Sequence, residues 1–565
     1  MRVASHSSRV VSLVVGIAGV AALGVGCNFL RGYAEGESTS LASHLAAQPA
    51  TSDAELGAAR FLFDDFNSLN TDALETNALP WKLVVATMLA EHPELVVGEP
   101  SEDDWLVGLE RRYGFVRAER VGNWPGAQQP TLTRNMGMIS GTVERRAPHV
   151  RFEVSNQGCT TCHAGNLWDA QGKPTREVWL GLGSTSIDLA RYSSEVYGAL
   201  QRASRAPAPV IAMLDRVYPS IDPLERKTLV DVVLPALRRR IGGADAPAEP
   251  VPFDNGGPGL TNAVGHVKGH FRILDPKQAS HEVAFTQVPD LMALPYRTSL
   301  LCDGVYAPTG DAPFAVRRFD AADRVAHTVH LADVAALFTI STLGVAPRRA
   351  HENVPAVQDV MKLAARSTGP AFPGVIDDAK AQRGLAVWTQ RCALCHGERT
   401  LTGRASQLVE HPNRVSPVDE IETDAARVGA VNEDVLGVLK TVPVGRAIDA
   451  APRGGYVAPT LIAVWATAPY LHNGSVPTIW HLMHPAARPD RFEQGGHALD
   501  YDKLGIAGAL DAQGTWRYPA GFTPWMTPSV VDTTTPGRTH VGHAIPFDTM
   551  SEDEKADVLE FLKTF

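Results

Sequence analysis

The sequence has no excess of basic charge, no second long apolar run and few cysteines, and each shortage narrows what the chain can be. Its 52 lysines and arginines stand against 62 acidic residues, a formal net charge of −10. Phosphate binding needs a basic face, so nucleic acid is not expected as a partner. Docking of a basic electron-donor protein is compatible with that charge. Apart from the stretch Val10 to Gly26, nothing is apolar enough to span a membrane. No internal repeat is evident beyond one short motif that occurs twice. What is present is an ordinary globular composition, 44% hydrophobic and 20% charged over 565 residues. That length allows two or more domains, each with its own core.

Of only six cysteines, four lie in Cys159-Thr160-Thr161-Cys162-His163 and Cys392-Ala393-Leu394-Cys395-His396. Each reads Cys-x-x-Cys-His, and the spacing has a chemical reason. Each thiol adds across one vinyl group of a porphyrin, and two intervening residues let both sulfurs reach the same ring edge. The histidine that follows then falls under the iron. A four-cysteine zinc site or two disulfides would use the same cysteines, but neither requires a histidine after each pair. The expectation is two covalently bound c-type haems, attached through Cys159, Cys162, Cys392 and Cys395, with His163 and His396 as proximal iron ligands. Cys302 is left single and reads as a small buried residue rather than a nucleophile.

Haem c is attached outside the cytoplasm, and the start of the chain looks exported. Arg2 and Arg9 flank a polar start, residues 10–26 are apolar or small apart from Ser12, and small residues precede Cys27. Leu23-Gly24-Val25-Gly26-Cys27 is similar to a bacterial lipoprotein cleavage box, with glycine where leucine is usual. Lipidation of Cys27, plain cleavage and a retained anchor all stand. Residues 1–34 are therefore assigned as an export or lipoprotein signal, and 35–55 as a tether. The expected location is the periplasm, a membrane facing it, or the outside.

Helical spacing covers 54–69, 87–95, 187–205, 223–241, 331–343 and 354–367. Residues 111–157, broken by Gly, Pro and Asn, read as loop with short elements. Arg238-Arg239-Arg240 before Gly242 suits the last turn of a helix. Gly384, Trp388 and Cys392 recur four apart on one helical face. Ser551 and Glu554 form a capping box that opens a last helix with an apolar stripe through Val558, Leu559, Phe561, Leu562 and Phe565. A small cytochrome c domain pairs two such helices, and Gly384 would permit a close crossing. The expected fold class is mainly α, with two cytochrome c-like haem domains carrying long loop-rich insertions. They span 56–375 and 376–565, with a hinge at 368–374.

Several ordered segments carry a family resemblance. They are Cys159 to Leu167, with the glycine-rich Gly181-Leu182-Gly183-Ser184-Thr185-Ser186-Ile187-Asp188 after it, then Ile421-Glu422-Thr423-Asp424-Ala425-Ala426-Arg427, and the most specific, Trp465 through Ala468-Pro469-Tyr470-Leu471-His472-Asn473-Gly474-Ser475-Val476-Pro477. Across roughly 110–565 the chain resembles the bacterial di-haem cytochrome c peroxidase superfamily, and most of all its rubber-oxygenase-like branch. Gly257-Pro258-Gly259-Leu260-Thr261-Asn262 is similar to a Gly-Pro-Gly-Arg-x-Asp stretch of the peroxidases but lacks its arginine and aspartate. The resemblance implies an oxidoreductase. Its N-terminal haem would have an open iron for dioxygen or hydrogen peroxide, with an organic substrate, and its C-terminal haem would exchange electrons with a redox partner protein.

The sixth iron ligands separate this reading from a pure electron-transfer cytochrome with both irons six-coordinate. The resemblance implies a distal histidine in a Gly-His segment before the last helix, here Gly542-His543. His543 is the candidate, with Met483, His484 and His540 as competitors and a plain loop histidine as the bland reading. Some peroxidases of that superfamily use a histidine soon after the first motif; none occurs here between His163 and His266, so the resemblance to the oxygenase-like branch implies an open iron. His266 and His270, one helical turn apart, are the remote alternative. His472 is expected to hold an inter-domain loop, and Trp168 and Trp179 to be core aromatics rather than an electron path.

Overall fold

The two helices flanking the second motif meet as their glycine and cap anticipate. A computed structural model describes residues 36–565 apart from 39, 71–77, 147–148, 170, 276–279, 281 and 497. The signal region and Cys27 lie outside the described residues. Helix Asp378–Arg391 starts at Asp377, whose carboxylate accepts from the backbone N–H of Ala379 and Lys380. Helix Glu552–Leu562 starts at the Ser551/Glu554 capping box. A Cβ on Gly384 would lie 2.0 Å from the Asp557 carbonyl oxygen, so only glycine fits the crossing. Arg383 clamps Asp557 with two 2.8 Å bonds. Trp388, Val558, Phe561 and Leu562 fill the seam.

In the N-terminal half, helices Asp53–Phe63, Ala332–Leu343 and Val354–Ala364 build one core. Helices Trp81–Glu91, Glu102–Tyr113, Leu189–Arg205 and Leu234–Ile241 build a second. The arginines 238–240 do end the last of these, at Gly242.

The expectation of a mainly α fold is overturned. Helix makes up 40% and strand 17%, distributed over many small sheets. The longest strands, Met138–Arg146 and His149–Gln157, pair antiparallel with Met138 opposite Gln157. Both fall where the sequence reads as loop. Glycine, proline and asparagine there do exclude a long helix. A strand ladder, however, draws its hydrogen bonds from another segment, which local punctuation does not report. The alternation that marks it is Val150, Phe152 and Val154, all buried. Gly36–Ser38 and Leu79–Pro80 complete this sheet. The stretch assigned as a tether thus contributes an edge strand and the helix Ser40–Ala47.

The structure also reveals a repeat that the sequence reading lacks. Residues 289–306 and 459–476 share a series of turns, although the residue before the first differs, Ala293 at φ −72° and Ala463 at φ 51°. Each makes a short 3₁₀ turn, Leu294–Tyr296 and Val464–Ala466. Each then enters the left-handed region at a leucine and a glycine, Leu301 (φ 64°) and Gly304 (62°) against Leu471 (65°) and Gly474 (63°). Each closes with one antiparallel bridge, Leu300 to Tyr306 and Tyr470 to Val476. The two loops are joined reciprocally: Gln287 N–H donates to the His472 carbonyl at 2.7 Å, and Val457 N–H to the Cys302 carbonyl at 2.7 Å. Gln287 and Val457 hold equivalent places, as do Cys302 and His472, so the pair has a local two-fold character.

Substituting Gly384 tests the close crossing. Gly384→Val should cost about 1–3 kcal/mol through overpacking, read as a lowered midpoint in thermal unfolding of the purified protein. An unchanged midpoint would contradict the contact.

Candidate functional site

Each Cys-x-x-Cys-His motif lies on a single helical turn, Thr160–His163 and Ala393–His396. Within each, the histidine N–H donates to the carbonyl of the first cysteine at 3.0 Å, which brings both onto one side of the turn. The first turn is fastened by Gly181 N–H on the His163 carbonyl (2.8 Å) and Ser184 N–H on the Cys162 carbonyl (2.7 Å). These donors belong to the glycine-rich segment. The second is fastened by the Trp388 indole on the Gly397 carbonyl, 3.0 Å.

The repeated loops supply the next contact. His163 Nδ1 lies 3.0 Å from the Pro289 carbonyl, and His396 Nδ1 2.9 Å from the Pro459 carbonyl. A carbonyl only accepts, so Nδ1 carries the proton in both rings and each Nε2 keeps a lone pair for a metal. Burial pushes both imidazoles down to about 4, for His396 with help from neighbouring His543. Both are therefore neutral at pH 7, as a ligand must be. Both motifs line one continuous cavity of about 1130 Å³. Cys159, Cys162 and Cys392 are thiols whose ionisation burial pushes up to about 12. Among the described residues no group of three or more His, Cys, Asp or Glu converges as a metal cage. The donor set fits covalent haem rather than a shared zinc.

His543 faces His396. The ring centres are 6.1 Å apart, and the two imidazoles would hold a haem iron between them. The backbone that delivers His543 is unusual. Gly542 has φ 85° and His543 φ 53°, and a Cβ on Gly542 would lie 2.5 Å from the Ile421 carbonyl oxygen. His543 N–H donates to that same carbonyl at 2.7 Å. Asp424 accepts from Thr539 N–H and Oγ1, and Arg488 donates to the Gly542 carbonyl at 2.8 Å. The Ile421–Arg427 segment therefore anchors the His543 loop. Its Arg427 reaches the other way, to Asp303 at 2.8 Å, both 2% exposed.

Among the competitors, Met483 lines the cavity. His484 spends its ring nitrogens on the Trp480 carbonyl and Glu552, and His540 bonds Asp490. His472 stacks on Tyr456 at 4.1 Å and ties the loops through its carbonyl.

Apolar side chains pack beside the first motif. Cys159 and Phe338 pack on a core that includes Phe61, Phe66, Val357 and Met361. His266 lines the cavity, but its Nε2 is engaged by Asn255 at 3.1 Å, and His270 is exposed. Trp168 packs edge-on against Trp525 at 5.1 Å, and Trp179 packs beside Leu182. Cys302 does line the cavity, with burial pushing its thiol up to about 12. The Gly257–Asn262 stretch acts locally: the Gly259 carbonyl accepts from Val288 N–H, next to Pro289.

The two proline carbonyls are what residue-type reasoning misses, since any residue carries a carbonyl. The available signal was the shared pattern of Pro289, Leu291, Ala293, Leu301 and Gly304 with Pro459, Leu461, Ala463, Leu471 and Gly474.

Residues 455–493, holding the second loop, match a family described as RoxA-like, cytochrome c-like. The segment is a cytochrome c-like, haem c-binding one. The uncharacterized protein y4iM of Sinorhizobium fredii (strain NBRC 101917 / NGR234) is 30% identical over 201 residues, covering 31% of this chain and 43% of that protein. The uncharacterized protein y4iJ of the same strain is 39% identical over 119 residues, 19% and 17% of the two chains. The chain spans less than half the length of either relative.

His543→Gly should move the second iron from low to high spin in the optical and electron paramagnetic resonance spectra. An unchanged low-spin spectrum would remove His543 as a ligand.

Proposed function

We propose that the protein is an exported di-haem c-type cytochrome and an oxidoreductase whose first haem has an open iron for dioxygen or peroxide and whose second passes electrons. The observation that carries this reading is an asymmetry built on a symmetric frame. Both proximal histidines are held identically, yet His396 has a second imidazole 6.1 Å away and, among the described residues, no imidazole pairs with His163 in that way. A c-type haem supplies one-electron redox chemistry and, where a site is open, dioxygen or peroxide activation. His163 and His396 would hold the irons proximally through Nε2, with the protons kept at Nδ1 by Pro289 and Pro459. His543 would close the second iron on its other face, which suits electron transfer. Phe61, Phe66, Phe338 and Met361 would exclude water beside the first and shape the approach of an organic substrate. The size of the surrounding structure favours an enzyme, since a carrier needs only about 100 residues per haem.

Peroxidase and oxygenase chemistry both use such a site. A redox partner protein would supply or accept electrons at the second haem. An export signal at 1–34, with Cys27 as a possible lipid anchor, would place the protein in the periplasm, on a membrane facing it or outside. A second reading, electron transfer alone, is favoured by one observation: His266 lines the cavity and would close the first iron if released from Asn255.

Electron paramagnetic resonance of the oxidised protein separates the two. One high-spin and one low-spin haem, with imidazole converting the high-spin signal, is expected. Two low-spin haems indifferent to imidazole would establish the electron-transfer reading instead.

A further inference from the structure

The two equivalent loops differ by two charged residues in the cavity wall, Asp290 and Arg297, where the second loop has Thr460 and Thr467. The Arg297 fork is held by carbonyls: Nε donates to Ser299 at 3.3 Å and Nη2 to Leu301 at 2.9 Å. These contacts orient the guanidinium without neutralising it. Among the described residues Nη1 has no partner and no carboxylate lies within ion-pair reach. Cys302, Asp290 and Asp303 act on it without forming an ion pair with it. Asp290 accepts from Ala293 N–H at 2.8 Å, and Asp303 is paired with Arg427. A guanidinium keeps its proton when partly buried, and a cavity-lining cation with no ion-pair partner of its own favours an anion beside it. Something anionic therefore belongs beside Arg297.

Its position says what. Arg297 sits on the loop whose Pro289 holds His163. Its neighbours Tyr296 and Thr298 are bonded to Asn413, through the Tyr296 carbonyl (2.9 Å) and the Thr298 N–H (3.2 Å). Its charge also reaches His411, whose Nε2 bonds the Ala458 carbonyl beside Pro459. The guanidinium thus lies at the junction of the two sites. A haem brings two propionate carboxylates on its rim, and a planar fork matches a carboxylate well.

We propose that Arg297 is the carboxylate anchor of this junction, pairing with a haem propionate and raising the reduction potential of that haem relative to the other. It is a positioning and potential-setting residue, and the inference rests on the di-haem reading. A cation close to an iron disfavours the oxidised, more positive state, so removing it lowers the potential.

The test is spectroelectrochemical titration of the holoprotein as wild type, Arg297→Gln and Arg297→Lys, with covalent haem content measured on the same samples. The expected result is a fall in one midpoint potential in Arg297→Gln of about 59 mV, a tenfold shift in a one-electron equilibrium, with most of it restored in Arg297→Lys. Should the glutamine variant not fold, resonance Raman of Arg297→Lys should still show shifted propionate bending bands. Unchanged potentials in Arg297→Gln, a loss in Arg297→Lys as large as in Arg297→Gln, or unshifted propionate bands would overturn the proposal. A wild-type haem content other than two would instead overturn the di-haem reading, a result visible in the same samples.

Discussion

Two hydrogen bonds from imidazole to backbone organise this molecule, His163 Nδ1 to the Pro289 carbonyl and His396 Nδ1 to the Pro459 carbonyl. Each contributes only about 1 kcal/mol to stability, so their importance lies elsewhere. They fix the tautomer, aim Nε2 into the cavity and join each cysteine motif to a loop far along the chain. The same two loops exchange backbone bonds with each other through Gln287, Val457, Cys302 and His472. A displacement of one loop would therefore disturb both histidines together.

On that near-symmetric frame the chemical differences are local. The Ile421–Arg427 segment holds the His543 loop in its left-handed conformation on one side and grips Asp303 on the other. Among the described residues no imidazole pairs with His163 as His543 does with His396, and Phe61, Phe66, Phe338 and Met361 line the shared cavity. In the proposed function, that combination would let a single architecture make one electron-transfer centre and one reactive centre.

The parts of this arrangement that were legible in the sequence are those with local causes. The Cys-x-x-Cys-His spacing, the capping box at Ser551 and the glycine at 384 each state their role within a few residues. Gly542-His543 was legible only through family resemblance, because an imidazole's partner across a cavity leaves no mark in its neighbourhood. The strands Met138–Arg146 and His149–Gln157 were missed because their bonds are non-local, and a fold read from helical periodicity came out too helical. Pro289 and Pro459 were missed because their carbonyls, not their side chains, act. The repeat itself is thin in sequence, with Arg297 against Thr467 and Cys302 against His472, although the φ values of Leu301 and Gly304 match those of Leu471 and Gly474.

The measurement that most directly tests the central claim is the intact mass of the purified chain, followed by peptide mapping. The account predicts two haem additions, one on the peptide holding Cys159 and Cys162 and one on the peptide holding Cys392 and Cys395. A single addition, or none at either motif, would contradict it.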